Sequence, residues 1–174
     1  MSGLLERLGR RVAMALGVGR LTANTDETKS TPTVQVALAG GELQSDVPLL
    51  QQVGLHSRPL PGSDVVVLFQ AGDRSRGVAI ATGDQRAYPR DLEPGDVCLH
   101  HVKTGSRVWL KADGSIAISA EGALVFTGSG ATFNCPISCT ADVVVQGDVQ
   151  ASGISLLKHK HPVQTAPGTT GAPE

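Results

Sequence analysis

A period-two alternation of apolar and polar residues runs from Val108 to Ala151, and no other feature restricts the fold of this chain as much. From residue 108 the even positions read Val108, Leu110, Ala112, Gly114, Ile116, Ile118, Ala120, Gly122, Leu124, Phe126 and Gly128, all apolar or glycine. The odd positions among them include Lys111, Asp113, Ser115, Ser119, Glu121 and Thr127. Around Ser129–Ala131 the parity switches. The apolar set then becomes Ala131, Phe133, Cys135, Ile137, Cys139, Ala141, Val143, Val145, Gly147, Val149 and Ala151. Such alternation predicts strands with one buried face. Turns fall at Asp113-Gly114, Glu121-Gly122 and Gly147-Asp148, so strands of about five to seven residues follow one another at roughly eight- to ten-residue spacing.

One copy of this stretch makes a thin meander with a bare apolar face and open edges, which invites aggregation. Three copies wound about one axis bury the inward rows against each other and pair the edges. The inward residues are mostly small or branched, as a narrow axis requires. The segment is therefore expected to form an intertwined trimeric β-helix. A β-sandwich of paired hairpins is the rival, and it would carry more large core residues. Aromatics are 3% of the 174 residues, so no core here can be built on Phe and Trp. Between Gly114 and Leu157 there is no Lys or Arg, and the only acidic residues are Glu121, Asp142 and Asp148. That surface has little with which to grip lipid headgroups or nucleic acid.

The net charge of −1 likewise argues against a protein whose main partner is nucleic acid, where a basic excess is expected. No run of about 20 apolar residues suggests a transmembrane helix. Cys98, Cys135 and Cys139 are an odd number without a disulfide framework, and they read as reduced thiols. Cys135 and Cys139 sit about 13 Å apart along one strand, too far to bridge, and are expected to be inert core thiols.

Upstream, the first twenty residues are the one good helix candidate. Leu4, Leu5, Leu8, Val12, Ala15 and Leu16 recur at helical steps, with Arg7, Arg10 and Arg11 among them. Ser2 can cap the start, and Gly17 and Gly19 end the pattern. The expectation is a short amphipathic helix that docks on a partner or on its own trimer. A signal peptide and a membrane-surface helix are the other readings. Residues 23–33 read as a loop. Short strands then follow over Thr33–Leu38, Val47–Val53, Val65–Phe69 and Gly77–Ala81, separated by turn signals and by no helix. They suggest a small barrel such as an OB-fold. Nucleic-acid binding by that fold needs exposed aromatics on a basic groove, and Phe69 in its apolar run reads instead as core. Pro89, Pro94 and Gly95 mark the boundary at 86–96. The expected organisation is all-β: 1–29, helix and loop; 30–90, OB-fold barrel; 91–158, trimeric β-helix; 159–174, tip and tail.

The sharpest chemical feature is Lys158-His159-Lys160-His161-Pro162. In a strand, His159 and His161 share a face about 6.6–6.8 Å apart. One chain supplies two imidazoles, too few for a closed metal site. Three chains supply six, an octahedral set that suits Fe(II), Co(II) or Ni(II) better than four-coordinate Zn(II). The tail beyond, Val163 to Glu174, is either disordered or a cap on the tip. Catalytic chemistry is not expected. The adjacent His100 and His101 face opposite ways in a strand, no Gly-x-Ser-x-Gly elbow or P-loop occurs, and no carboxylate pair stands out.

These features resemble a known family, the Mu-like central spikes of contractile-tail phage baseplates, also called baseplate assembly protein V. The resemblance is carried by Pro-Leu-Pro-Gly-Ser-Asp-Val-Val-Val-Leu-Phe at 59–69 and Gly-Asp-Arg-Ser-Arg-Gly-Val-Ala-Ile-Ala at 72–81. It continues in Lys111-Ala112-Asp113-Gly114-Ser115-Ile116 and in His159-Lys160-His161-Pro162 before a Gly/Pro-rich end. It implies a homotrimer, with an OB-fold on the hub side and a β-helix tapering to a point. It implies one iron ion (Fe2+) per trimer held by His159 and His161, and in some members calcium and chloride ions on the axis. The implied role is mechanical: sheath contraction drives the spike through the host outer membrane. The expected location is the virion tail tip, after assembly in the host cytoplasm, with baseplate hub and tail-tube proteins as partners through the N-terminal part. Related contractile bacteriocins use the same part. The alternative is an OB-fold module that binds nucleic acid or glycan on a β-stalk.

Overall fold

The computed structural model describes residues 2–161, in two compact units that divide between Leu124 and Val125. The tail expected beyond Pro162 lies outside the described residues. The first unit opens with helix α1 (Ser2–Ala13), followed by β1 (Leu16–Leu21), β2 (Thr33–Leu38), β3 (Leu43–Pro48), β4 (Asp64–Phe69) and β5 (Gly77–Gly83). These strands form one sheet in the order β3-β2-β1-β4-β5, antiparallel at every neighbour. The sheet curls until its two edges meet. Leu49, just after β3, bridges Ala79 of β5 in parallel, and the Leu50 N–H donates to the Ala79 carbonyl at 2.9 Å. This is an OB-like, partly closed barrel.

Its core is Leu21, Val34, Val36, Leu38, Val47, Leu49, Val65, Val67, Phe69 and Ala79, with one aromatic among ten residues. Phe69 is 1% exposed, in the core as its apolar run suggests. Its ring lies across glycines on both neighbouring strands. A Cβ on Gly17 of β1 or on Gly77 of β5 would sit 2.9 Å from a ring carbon. The Arg74 guanidinium covers the ring, 3.8 Å from its centroid, and forks onto the Glu42 carboxylate.

The helix is shorter than its periodicity predicts. It ends at Ala13, and Leu16 to Arg20 belong to β1. Gly17 and Gly19 are therefore not helix stops but strand residues at points of close approach. A Cβ at Gly19 would lie 2.3 Å from the Ala37 carbonyl oxygen. The barrel accordingly takes its central strand from a segment whose periodicity predicts helix. β3 also lies earlier than expected, ending at Pro48 rather than running through Val53. α1 touches the turn at Gln70–Gly72, where Gly72 holds φ +74. A Cβ there would meet the Arg11 carbonyl oxygen at 2.5 Å, so only glycine lets the end of the helix seat on this turn.

Downstream, β6 (Val97–His100), β7 (Arg107–Leu110) and β8 (Ile116–Ser119) make a second antiparallel sheet. Its register places Val97 beside Leu110, Leu99 beside Val108, Val108 beside Ile118 and Leu110 beside Ile116. Six aliphatic side chains thus share one face. The other face carries Trp109, and the connector from the barrel is strapped onto it. Asp91 takes two hydrogen bonds from Arg107. Asp96 accepts from Trp109 Nε1–H at 2.9 Å and from the Ala112 N–H at 2.7 Å. Arg107 and Lys111 stack on the indole at 4.3 and 4.6 Å.

The alternation predicts further strands from 131 to 151. Among the described residues no strand forms between Ser119 and Gln150. A strand requires a ladder, and within one chain this stretch makes none. Phe126, Phe133, Ile137, Val143, Val145 and Val149 are exposed, as are the Cys135 and Cys139 thiols expected in a core. Among the described residues of the second unit, only β9 (Gln150–Ala151) and β10 (Ile154–Ser155) pair, as a short hairpin.

Candidate functional site

The histidine pair is positioned by that hairpin. Ser152 and Gly153 both hold positive φ, at 50° and 83°, as a tight two-residue hairpin turn requires. Asp148 gathers the far side. It accepts the Leu157 N–H at 3.2 Å and the Gln150 side-chain amide at 3.4 Å. The neighbouring Ser155 hydroxyl, and then these bonds, hold the Asp148 carboxyl below its ordinary range. The Leu156 N–H also reaches back to the Val149 carbonyl at 2.8 Å.

The chain then turns. The Lys158 N–H donates to Ser155 Oγ at 2.9 Å, and the His159 N–H donates to the Ser155 carbonyl at 3.1 Å. The spacing argument expects His159 and His161 in a strand; they instead follow a turn. The two rings still come together, with centroids 5.1 Å apart and planes at 87°. His159 Nδ1 lies 3.1 Å from two carbonyl oxygens, those of Ser155 and Leu156. Carbonyl oxygens only accept, so Nδ1 carries a proton, and in the neutral ring Nε2 then keeps its lone pair. That is the form in which imidazole ligates a metal through Nε2, with the other nitrogen held by the backbone. The donor set therefore fits a transition metal. Among the described residues of one chain, no three His, Cys, Asp or Glu side chains gather to hold an ion. The Asp148–Ser155 support escapes sequence reading, since its signal is only Gly147-Asp148 followed by Ser152-Gly153.

The remaining histidines serve other ends. His100 closes β6, while the His101 ring accepts the Thr104 N–H at 3.2 Å within the β6–β7 turn. His56 meets the Glu27 carboxylate at 3.2 Å, which also pairs with Arg58.

Two apolar surfaces remain bare. Leu4, Leu5, Leu8 and Val12 of α1 are between 58% and 71% exposed. The aliphatic face of the β6–β8 sheet is also open: Val97, Leu99, Leu110, Ile116 and Ile118 are all exposed. A cleft of about 800 Å³ runs on from that face, lined by Leu99, Val108 and Ile118 together with Leu55, Leu60 and Leu124. No described helix is long and apolar enough to cross a membrane.

Comparison with known proteins fits this arrangement. The family described as Bacteriophage Mu Gp45, N-terminal, matches residues 19–86, nearly the whole barrel. The baseplate puncturing device gp45 of Escherichia phage Mu is 31% identical over 156 residues, covering 89% of this chain and 78% of that protein.

Proposed function

The chain belongs to the family of the phage Mu baseplate puncturing device, and we propose that it is the central spike of a contractile tail, a homotrimer whose β-helical shaft pierces the host outer membrane as the sheath contracts. The observation that carries this reading is the bare aliphatic face of the β6–β8 sheet. An antiparallel sheet in water keeps one face covered, and six aliphatics on one face need a partner. Two further copies supply it. They also supply ladder partners for the alternating run from Leu124 to Val149, where exposed Phe133, Ile137, Val143 and Val145 become the core of the shaft.

At the tip, three pairs of His159 and His161 hold one Fe2+. The ion fixes the register of three chains where no side-chain core remains, and the Nε2 lone pair of His159 supports this role. At the other end, the apolar stripe of α1 joins the hub or tail-tube proteins of the baseplate. The spike belongs to the virion tail and is assembled in the host cytoplasm. Its work is mechanical, and it takes no nucleic acid. Phe69, the one aromatic of the barrel core, is buried and offers no stacking surface for bases.

The test is light scattering with elemental analysis on chain purified without a nickel column. Trimers with about one iron per three chains, lost together with tip order in His161→Ala, support the proposal. Monomers that retard single-stranded DNA at roughly physiological salt overturn it in favour of an OB-fold binding module.

A further inference from the structure

The tip holds more than its two imidazoles. Asp148 and Ser155 both tie down the turn that carries the His159 ring. The Ser155 hydroxyl neighbours the Asp148 carboxylate and accepts the Lys158 N–H at 2.9 Å. The Ser155 carbonyl takes both the backbone N–H and the ring Nδ1 of His159, each at 3.1 Å. One residue thus faces a carboxylate with its side chain and a candidate ligand with its backbone. Asp148 accepts the Leu157 N–H at 3.2 Å, inside the turn that delivers the histidine.

We propose that Asp148 and Ser155 are positioning residues for the tip: they hold the turn so that the Ser155 and Leu156 carbonyls lock His159 as the Nδ1–H tautomer, with Nε2 presented to the metal. The metal itself rests on the reading given above. The lock does not, because it is made entirely of bonds within one chain. Without the Ser155 hydroxyl, the turn loses its tie to the Lys158 N–H. The carbonyl then no longer stays on Nδ1, and the ring samples both tautomers. Supporting groups of this kind typically change metal affinity by about 10–100-fold.

The experiment uses the full chain with 15N-labelled histidine, stripped of metal by a chelator at neutral pH. Two-bond proton–nitrogen correlations report the tautomer of each of the five histidines. The expected result is a single Nδ1–H form at His159 in the wild type. Ser155→Ala and Asp148→Asn should give a mixture there while the other rings stay as they were, and Ser155→Thr, which keeps the hydroxyl, should restore the single form. In parallel, chain purified with its metal should lose iron to the chelator on the order of 10–100-fold faster in the Ala and Asn variants. A mixed tautomer in the wild type, or a His159 signal unmoved in both variants, overturns the inference. A locked His159 in a wild type that takes up no iron supports the lock and overturns the metal reading instead.

Discussion

The ring of Phe69 should be thermodynamically coupled to the glycines that face it, and a double-mutant cycle can measure the coupling. Phe69 is 1% exposed, and a Cβ on Gly77 would stand 2.9 Å from its Cε1 and 3.1 Å from Val67 Cγ1. Phe69→Leu removes part of a buried ring and the surface on which Arg74 stacks. That should cost about 1–2 kcal/mol, between the loss of one methylene and the 3–5 kcal/mol of a full Phe→Ala truncation. Gly77→Ala forces a methyl into filled space and should cost about 1–3 kcal/mol. In the double variant the leucine no longer reaches toward residue 77, and only the Val67 contact remains. The pair should therefore cost less than the sum of the singles, by roughly 0.5–1.5 kcal/mol. Amide exchange read by mass spectrometry at Asp64–Phe69 is the suitable assay, since it reports the barrel whatever the rest of the chain is doing. Each 1.4 kcal/mol appears as about a tenfold change in exchange rate. Costs that simply add, or exceed the sum, would refute the placement of the ring over Gly77.

Gly72→Ala should unseat α1 without opening the barrel, because its Cβ meets the Arg11 backbone and its φ is +74. Trypsin should then cut at Arg7, Arg10 or Arg11 sooner, while exchange at β4 stays unchanged. Ile118→Asp or Val145→Asp should prevent trimer formation, as three unpaired charges on one axis cost on the order of several kcal/mol each. Trimers of unaltered melting temperature in light scattering and calorimetry would show those rows to face elsewhere. The Asp84 carboxyl is depressed, chiefly by the Arg86 guanidinium that forks onto it, with Ser63 donating as well. A depressed carboxyl stabilises the fold fully above the unfolded value of about 3.9 and loses that contribution as pH falls toward the folded value. Melting temperature should therefore drop more steeply below about pH 4 in wild type than in Asp84→Asn.

Much of the barrel was legible because its strands are short, apolar and bounded by strong turns. Thr33–Leu38 is β2 as read, and Val65–Phe69 and Gly77–Ala81 fall within β4 and β5. The central strand was not legible. Leu16 continues the helical spacing of Leu5, Leu8 and Val12, and local pattern alone assigns it to the helix. Gly17 and Gly19 look like breakers until Phe69 and the Ala37 carbonyl are seen against them, and those partners lie far away in sequence. Trp109 escaped for a similar reason. It occupies the polar parity of its strand, where only the connector carboxylate of Asp96 explains an indole. At the tip, composition exposed the histidines at once, but their orientation depends on backbone carbonyls, which a sequence does not display.

The position of β1 between β2 and β4 also sets how the barrel answers force. Two residues separate α1 from β1, so tension applied to the helix passes straight into the middle of the sheet. An edge strand pulled outward unzips, with one rung failing at a time under small load. β1 is hydrogen-bonded along both flanks, from Leu16 to Arg20 on β4 and from Gly19 to Leu21 on β2. Pulled along its axis, it loads both ladders in parallel, and their rungs must give way together. A handle anchored in this way makes the joint between helix and barrel strongest against the kind of sudden axial jerk that would strip an edge strand from its sheet.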